Sequence, residues 1–144
     1  MPRETAGLSW RRLWPRMLAT LKSLLELSMS TRNVVESYFK ELETRKGWES
    51  LLTADVVFTS FTIPNRQITG KPAYIEATKR FYSTIQSFEL RGLIVDGSKA
   101  CAQTRYQLKG PAGVFQSDVA EIFTVRDGKI DTLGIYFDSA PFPK

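Results

Sequence analysis

Apolar residues recur every three or four positions in the first part of the chain and alternate with polar residues in the last part. The first spacing predicts amphipathic helices and the second predicts strands. One helix is expected to follow a cap at Ser30 or Thr31 and to end near Lys46–Gly47. Its apolar stripe consists of Val34, Val35, Tyr38, Phe39 and Leu42. A second helix is expected from Gly70–Lys71–Pro72, because proline is tolerated in a first helical turn. Its stripe consists of Ala73, Tyr74, Ala77, Phe81, Tyr82 and Ile85.

The segments around the second helix predict strands. A short helical turn is expected around Trp48 to Leu52, and β-branched and aromatic residues predict a strand from Val56 to Ile63. Further strands are expected at Ser87–Val95, Lys99–Leu108, Val114–Val125 and Ile130–Phe137. Asp96–Gly97 and Asp127–Gly128 lie between paired stretches and favour type I′ hairpins, in which both central residues have positive φ. The order of elements predicts an α+β domain with an antiparallel sheet covered by helices on one face.

The first 28 residues form a distinct segment, so we expect a division into a leader of residues 1–28 and a domain of residues 29–144. Its apolar residues have helical spacing and are accompanied by basic ones: Leu13, Trp14, Met17, Leu18, Leu21, Leu24 and Leu25, with Arg11, Arg12, Arg16 and Lys22. This pattern is typical of a membrane-surface helix or a targeting leader. The segment could also pack on the domain or on a partner. Met29 is a further candidate start, in which case the leader is not part of the mature protein.

The composition of the chain excludes several kinds of catalytic and metal-binding site. The chain of 144 residues contains no histidine, which excludes imidazole catalysis and the usual zinc sites. Its single cysteine, Cys101, cannot form an internal disulfide, and we expect a cytoplasmic protein. Because Cys101 has no histidine and no clear basic partner in the sequence, we interpret it as an inert strand residue. The net charge of +5 is concentrated in the leader. We therefore expect no nucleic-acid partner, and the absence of phosphate-loop, dinucleotide and metal-ligand motifs predicts no cofactor or metal.

Glu121 is the residue with the clearest chemical interest. In its strand, one face carries Phe115, Ser117, Val119, Glu121, Phe123 and Val125. A carboxylate on this apolar face should resist ionisation, so its pKa should rise. Such a group can donate a hydrogen bond as a neutral acid or act as a general acid or base near neutral pH.

Several motifs resemble the nuclear transport factor 2-like superfamily, over about residues 30 to 140. They are Val34-Val35-Glu36-Ser37-Tyr38-Phe39, Leu52-Thr53-Ala54-Asp55-Val56-Val57-Phe58, Gly70, Ala120-Glu121-Ile122-Phe123-Thr124-Val125-Arg126-Asp127-Gly128-Lys129-Ile130 and Tyr136-Phe137-Asp138. The stretch that ends at Ile130 is most similar to the SnoaL-like polyketide cyclase and ketosteroid isomerase branch. The resemblance implies a cystatin-like α+β roll, in which helices and a curved sheet form a cone with an internal pocket. It also implies a homodimer formed through the exposed sheet face.

The resemblance implies a role for Glu121 as a protonated acid in an oxyanion hole, with Tyr38 as its tyrosine partner. The isomerase base falls on Ser60, and a serine cannot take a proton from carbon unaided. The related limonene-epoxide hydrolases pair an arginine, here Arg105, with two acids that this sequence lacks. Epoxide hydrolysis is therefore not expected, and the cyclases' histidine is absent.

Each of the candidate site residues also has an alternative interpretation. Glu121 could simply accept hydrogen bonds from Tyr38 or Arg105 and hold the cone shut. Arg105 is either a solvated charge or, if it faces the pocket, a ligand for carboxylate or phosphate. Aromatic residues either line the pocket or are shared between core and rim: Trp48, Phe58, Tyr82, Tyr106 and Tyr136.

These observations predict a SnoaL-like protein that binds a small, hydrophobic, oxygen-bearing molecule. If the protein is an enzyme, the expected reaction is an isomerase-like or cyclase-like proton transfer by Glu121 and Tyr38, with Ser60 among the ligand contacts. The alternative is a non-catalytic dimerisation or ligand-sensing module. The expected partners are the small molecule, a second copy of the chain, and a membrane surface contacted by residues 1–28.

Overall fold

The computed structural model describes residues 10–62 and 66–142 and shows two helices against one six-stranded sheet. Helix α1 spans Trp10–Thr44, a 3₁₀ turn spans Trp48–Leu51, and helix α2 spans Lys71–Tyr82. The strands are β1 Leu52–Ser60, β2 Arg66–Thr69, β3 Ile85–Asp96, β4 Lys99–Gly110, β5 Gly113–Arg126 and β6 Lys129–Phe137. Their order in the sheet is β2-β1-β6-β5-β4-β3, and every neighbouring pair is antiparallel except β1 with β6. The α+β prediction is confirmed.

Three local predictions differ from the structure. Strand β2 is absent from the sequence-based assignment, because it is short and mostly polar and pairs only along one side of β1. Ile85 begins β3 instead of extending the stripe of α2, since the chain turns at Ser83 and Thr84. The predicted strand after Val56 begins four residues earlier, at Leu52. It ends at Ser60 and does not continue through Phe61 and Thr62, and its expected end at Ile63 lies outside the described residues.

The predicted cap at Ser30 or Thr31 is wrong, because α1 passes through both residues without interruption. Thr31 instead donates from Oγ1 to the carbonyl oxygen of Gly97 at 2.7 Å, and Ser28 accepts a hydrogen bond from the Gly97 amide at 2.9 Å. Thr31, one of the two residues that suggest a helix start, thus attaches the middle of α1 to the β3–β4 turn together with Ser28.

The two predicted hairpin turns have different conformations. Asp127 and Gly128 have φ values of 51° and 74°, as a type I′ turn requires. In the other hairpin, Asp96 pairs with Lys99, so the central residues are Gly97 and Ser98. Of these two, only Gly97 has positive φ, at 56°. The type I′ prediction therefore holds for Asp127–Gly128 and is wrong for the other hairpin, where positive φ at the first central residue alone is the pattern of a type II′ turn.

The helices cover one face of the sheet, and the core lies between them. Alternate residues of β4 and β5 point into this inner face, which is why Tyr106, Glu121 and Phe123 are buried while their chain neighbours face outward. The largest fully buried side chains include Trp48, Tyr38 and Phe123. These aromatic residues fill the interior that the site shares.

The amino-terminal half of α1 does not pack on the domain. Its large apolar side chains are exposed, for example Trp14 at 59% and Leu25 at 65%. The expectation that this segment packs against the domain is therefore wrong for the described residues. In the described part of the chain, no helix is both long enough and apolar enough to cross a membrane.

Candidate functional site

The carboxyl group of Glu121 lies on the inner face of β5 and is 7% exposed. Thr104 donates from Oγ1 to Oε2 of Glu121 at 2.8 Å. The hydroxyl of Tyr106 donates to the same carboxylate, at 3.1 Å from Oε1 and 3.2 Å from Oε2. Two neutral hydroxyl groups therefore hold the carboxylate in place.

The register of β4 and β5 explains this contact. Glu121 pairs with Ala102, whose small side chain leaves room beside it, and Val119 pairs with Thr104. Because inner-face residues of one strand alternate, Ala102, Thr104 and Tyr106 form one row next to Glu121. The carboxyl group reaches along this row towards the two hydroxyls.

Burial is the main cause of the raised pKa of Glu121. Removal of the carboxylate from water raises its pKa to about 7, and the hydrogen bonds from Thr104 and Tyr106 offset only part of that effect. Among the described residues, no arginine or lysine forms an ion pair with Glu121. Near neutral pH the group is consequently present in both its acid and its carboxylate form.

Tyr38 belongs to the same interior but has a different hydrogen-bond partner. Its hydroxyl oxygen lies 2.6 Å from that of Tyr74 on α2, and both side chains are buried. Burial raises the pKa of the Tyr38 phenol well above its usual value, and the nearby charge of Glu121 contributes to the rise. The alternative in which Tyr38 donates to Glu121 is wrong, because Tyr38 pairs with Tyr74 and Tyr106 pairs with Glu121.

Aromatic rings surround these polar groups. Tyr38 packs edge-on against Phe123 at 5.8 Å and against Trp48 at 6.3 Å between ring centroids. Of the other predicted lining residues, Phe58 contacts Tyr74 at 5.7 Å and Tyr82 contacts Trp48 at 6.2 Å. Trp48, Phe58 and Tyr82 thus form part of the same interior as Tyr38.

Two buried hydroxyls have no hydrogen-bond partner in the described residues. They belong to Ser60 on β1 and Ser117 on β5, which are 5% and 4% exposed. Ser60 pairs with Ile135 and Ile135 pairs with Glu121, so Ser60 lies two strands from the carboxyl group on the same face. Ser117 lies opposite Tyr106. Unsatisfied buried hydroxyls are uncommon, and these two belong to the sheet that carries Glu121.

Arg105 and Tyr136 lie on the outer face of the sheet, away from Glu121. Arg105 donates from Nε and Nη2 to the two carboxylate oxygens of Asp118, at 2.6 and 2.9 Å. Tyr136 is 48% exposed and stacks on Phe61 at 4.6 Å. The hypotheses that Arg105 pairs with Glu121 and that Tyr136 lines the interior are wrong, because strand alternation directs both side chains outward.

Sequence reasoning missed Thr104 and Tyr74, and it placed Tyr106 among lining residues only. The register of the β4–β5 hairpin is the signal that would have found the first. Gly110 pairs with Gly113, and counting back from that turn brings Ala102 opposite Glu121. Tyr74 has no such signal, since the hydroxyl of an α2 residue meets that of Tyr38 only through tertiary packing.

The arrangement has the properties of an acid–base site in an apolar interior. A neutral Glu121 can donate a hydrogen bond to a ligand oxygen, and its ionised form can accept a proton. Within residues 10–62 and 66–142, no three Cys, Asp or Glu side chains come together as a metal ion would require.

Comparisons with known proteins agree with this architecture. The SnoaL-like domain profile matches residues 35–132. Similar solved structures include a ketosteroid isomerase-like protein from Kribbella flavida DSM 17836, with 21% identity, a TM-score of 0.67, and coverage of 81% of this chain and 84% of that one. A SnoaL-like polyketide cyclase homologue from Jannaschia sp. CCS1 has 16% identity, a TM-score of 0.68, and coverage of 78% and 88%.

A de novo designed protein with a curved β-sheet is also similar, with 20% identity, a TM-score of 0.64, and coverage of 76% of this chain and 86% of that one. A designed neighbour underlines that these likenesses establish the fold and not an activity. No curated protein matches the chain significantly in sequence. The family assignment rests on the match over residues 35–132 and on the shared fold. The chain belongs to the SnoaL-like domain family of the nuclear transport factor 2-like superfamily.

Proposed function

We propose that the interior around Glu121 binds a small hydrophobic molecule with an oxygen atom, and that Glu121 and Tyr106 assist an isomerase-like or cyclase-like proton transfer on it. The observation that supports this proposal most strongly is the environment of the Glu121 carboxyl group. It is buried, has a pKa raised to about 7, and is held by two hydroxyls without a paired cation. Buried carboxyl groups with strongly raised pKa values are concentrated at functional sites, which favours a chemical role for Glu121.

The surrounding hydroxyls support binding of an oxygen-bearing ligand. The unpartnered hydroxyls of Ser60 and Ser117 are available to hydrogen-bond a ligand. In the Tyr38–Tyr74 pair, the hydroxyl that accepts the shared hydrogen keeps its own proton for donation. In the proposed complex, the ionised Glu121 takes a proton from a carbon atom of the ligand and returns it to another atom of the same molecule. Tyr106 turns its hydroxyl from Glu121 to the reacting oxygen, and Ser60 contacts a second polar atom. Ser60 does not act as the base, since a serine without a basic partner does not remove a proton from carbon.

Phe81 marks the proposed entrance. Its ring contacts that of Tyr106 at 5.7 Å and is 41% exposed, so it lies between Glu121's hydrogen-bond donor and the solvent. Phe88 contacts the other side of the site, also 5.7 Å from Tyr106. Because aromatic rings occupy the interior, we expect ligand binding to require a displacement of the Phe81 side chain.

Ligand binding is tested by thermal unfolding of the full chain with steroids, aromatic polyketide-like compounds and terpenoids. A ligand at about 100 times its Kd stabilises the folded state by about 2.7 kcal/mol. The wild type is compared with Glu121→Gln and with Asp118→Asn, a matched control on the outer face of the same strand. The expected result is stabilisation by one chemical class, altered by Glu121→Gln and unaffected by Asp118→Asn.

Catalysis is tested on any compound that stabilises the chain, by following its conversion chromatographically between pH 5 and 9. Turnover should titrate with an apparent pKa near 7 and disappear in Glu121→Gln, while Tyr106→Phe should reduce it about 100-fold. Binding without turnover would leave a ligand-sensing protein. If no class of compound stabilises the wild type, Glu121 is a structural residue and the proposal fails.

The outer sheet face favours a second candidate, a dimerisation module. Tyr136 lines a depression of about 750 Å³ on this face, together with Arg91, Gln103 and Asp118. The stacked Phe61–Tyr136 pair stands exposed at its edge. An open sheet face with exposed aromatic residues is suited to contact with a second copy. Light scattering of the wild type and Tyr136→Glu tests this, since a dimer formed through this face would dissociate in the variant.

A further inference from the structure

The amino-terminal half of α1 carries an unpartnered apolar stripe. When successive residues are placed about 100° apart around the helix, Leu27 falls about 40° outside an arc of about 140° that contains seven other large apolar side chains of residues 11–28. They are Leu13, Trp14, Met17, Leu18, Leu21, Leu24 and Leu25. Six of them are at least 46% exposed, and Leu13 is half-buried. A stripe of this width, free of contacts with the domain, indicates a surface that binds something else.

Basic residues surround this stripe. Residues 10–28 contain four basic side chains and one acidic side chain, Glu26, which gives the segment a net charge of +3. Arg11 and Lys22 border the stripe on one side, and Arg16 is the nearest charge on the other. A long basic side chain at such a border can extend its charge towards phosphate groups while its methylene groups stay on apolar surface.

The net charge of residues 10–28 distinguishes between two possible binding partners of the stripe, a second copy of the chain and an anionic lipid surface. Pairing with a second copy would place one segment of charge +3 against another, and Glu26 is the only acidic residue of residues 10–28 that could offset the repulsion. The apolar arc is also wider than the narrow seam of a two-stranded coiled coil. An anionic lipid surface matches both features, because it offers an apolar layer beneath a layer of negative charge.

We propose that residues 10–28 form an interfacial helix that binds the chain to anionic lipid bilayers, with the leucine stripe in the acyl boundary and the basic residues among the headgroups. This inference does not depend on the proposed chemistry of Glu121. The segment extends about 27 Å at roughly 1.5 Å per residue, enough for five turns of contact.

The attachment of α1 to the sheet gives this contact a defined geometry. Ser28 and Thr31 both bind Gly97, and Arg32 donates to the carbonyl oxygen of Leu93 at 3.3 Å. The helix is continuous across this junction. Ser28 and Thr31 lie on the same side of the helix as the stripe, so a bilayer bound along the stripe meets the β3–β4 turn where the stripe ends.

The test is co-sedimentation of the full chain with vesicles of phosphatidylcholine alone or of an equimolar mixture with phosphatidylglycerol. The stripe variant carries Leu21→Gln and Leu25→Gln. Its matched control carries Ala19→Gln and Ser23→Gln, which place the same amides on the opposite side of the helix. We expect strong binding to the mixed vesicles, a loss of about 100-fold in the stripe variant, and little change in the control.

The charge contribution is measured with Arg11→Gln and Lys22→Gln. Each should weaken binding to the mixed vesicles by about fivefold, and about 1 M NaCl, at which the Debye length is about 3 Å, should weaken wild-type binding further. Equal partitioning of the wild type and the stripe variant overturns the proposal. So does salt-insensitive binding that is equal for both vesicle types. Light scattering without vesicles gives the remaining check: dissociation of an oligomer in the stripe variant would assign the stripe to self-association instead.

Discussion

Glu121 and Asp118 lie three residues apart on the same strand, and their carboxyl groups have opposite properties. Glu121 faces the aromatic interior, where burial raises its pKa to about 7. Asp118 faces outward, where the hydrogen-bonded guanidinium of Arg105 lowers its pKa below the usual value. Strand alternation alone separates the two environments. The same functional group is therefore a candidate acid on one face of the sheet and a surface ion-pair partner on the other.

The difference shows what makes Glu121 a candidate for chemistry. A carboxyl group that accepts two hydrogen bonds is not sufficient, since Asp118 also accepts two, both from Arg105. The distinguishing property is that the donors to Glu121 are neutral hydroxyls in a dry interior, so its negative charge is not compensated. The following variants alter either the interior or the donors.

The largest effect is expected from removal of an aromatic residue next to the site. Phe123 is fully buried and contacts both Tyr38 and Phe39, so Phe123→Ala should lower the free energy of unfolding by about 3–5 kcal/mol. Its outward-facing neighbour Ile122 is the control, and Ile122→Ala should cost about 0.5 kcal/mol or less. Urea denaturation measures both, and equal losses would contradict the assignment of the two faces.

The pH dependence of stability should follow Glu121. Its folded-state pKa of about 7 lies above the ordinary 4.5, so the folded protein holds a proton that the unfolded chain releases. Stability should therefore fall between these two values, by a total on the order of 3 kcal/mol, and remain level above them. In Glu121→Gln this decline should disappear. Urea denaturation between pH 4 and 9 measures this dependence. A free energy of unfolding of the wild type that rises with pH over this range would mean that Glu121 is ionised and paired.

Loss of one donor should give a smaller effect. Tyr106→Phe keeps the ring packing but removes a hydrogen bond that favours the ionised form of Glu121, so the pKa of Glu121 should rise further. At pH 8 the variant should be about 1–2 kcal/mol less stable than the wild type. Carboxyl ¹³C NMR measures the titration directly. An unchanged titration midpoint would show that Tyr106 does not donate to the carboxylate in solution.

The smallest effect is expected on the outer face. Arg105→Gln removes the hydrogen-bonded partner of Asp118, so the pKa of Asp118 should rise towards its ordinary value. Because exposed ion pairs are screened by water, the change in stability should be close to zero. The same NMR titration reports both carboxyl groups in one sample. A shift in the Glu121 titration would indicate that the two faces are coupled.

Periodic patterns account for most of the fold that the sequence predicts. The alternation along β5 correctly places Glu121 and Phe123 on one buried face, and the Asp127–Gly128 turn has the expected conformation. The pattern fails where local preference competes with tertiary contacts. Ser30 and Thr31 have the chemistry of a helix cap, but Thr31 binds Gly97 across 66 residues, and the helix continues through it.

For the candidate site too, the pattern along one strand predicts part of the arrangement, and tertiary contacts determine the rest. A buried acid at Glu121 follows from one strand, because a single period determines which face it shares. The identity of its donors requires the register of a second strand, and the sequence suggested Tyr38 or Arg105 as donors where the structure has Tyr106 and Thr104. The Tyr38–Tyr74 contact requires the packing of two helices, for which the sequence carries no comparable periodic signal.

The parallel pairing of β1 with β6 has a consequence for how the chain folds. The two strands come from opposite ends of the domain, and Thr53 on β1 donates to Asp131 on β6 across 78 residues. The hairpins formed by β3, β4, β5 and β6 close short loops, whereas this pairing must close a long one at a larger entropic cost. We therefore expect the β3–β6 meander to form first and β1 to dock last. Ser60, which lies on β1, would then join Glu121 only in the final step of folding, so that the interior is completed when the two ends of the domain meet.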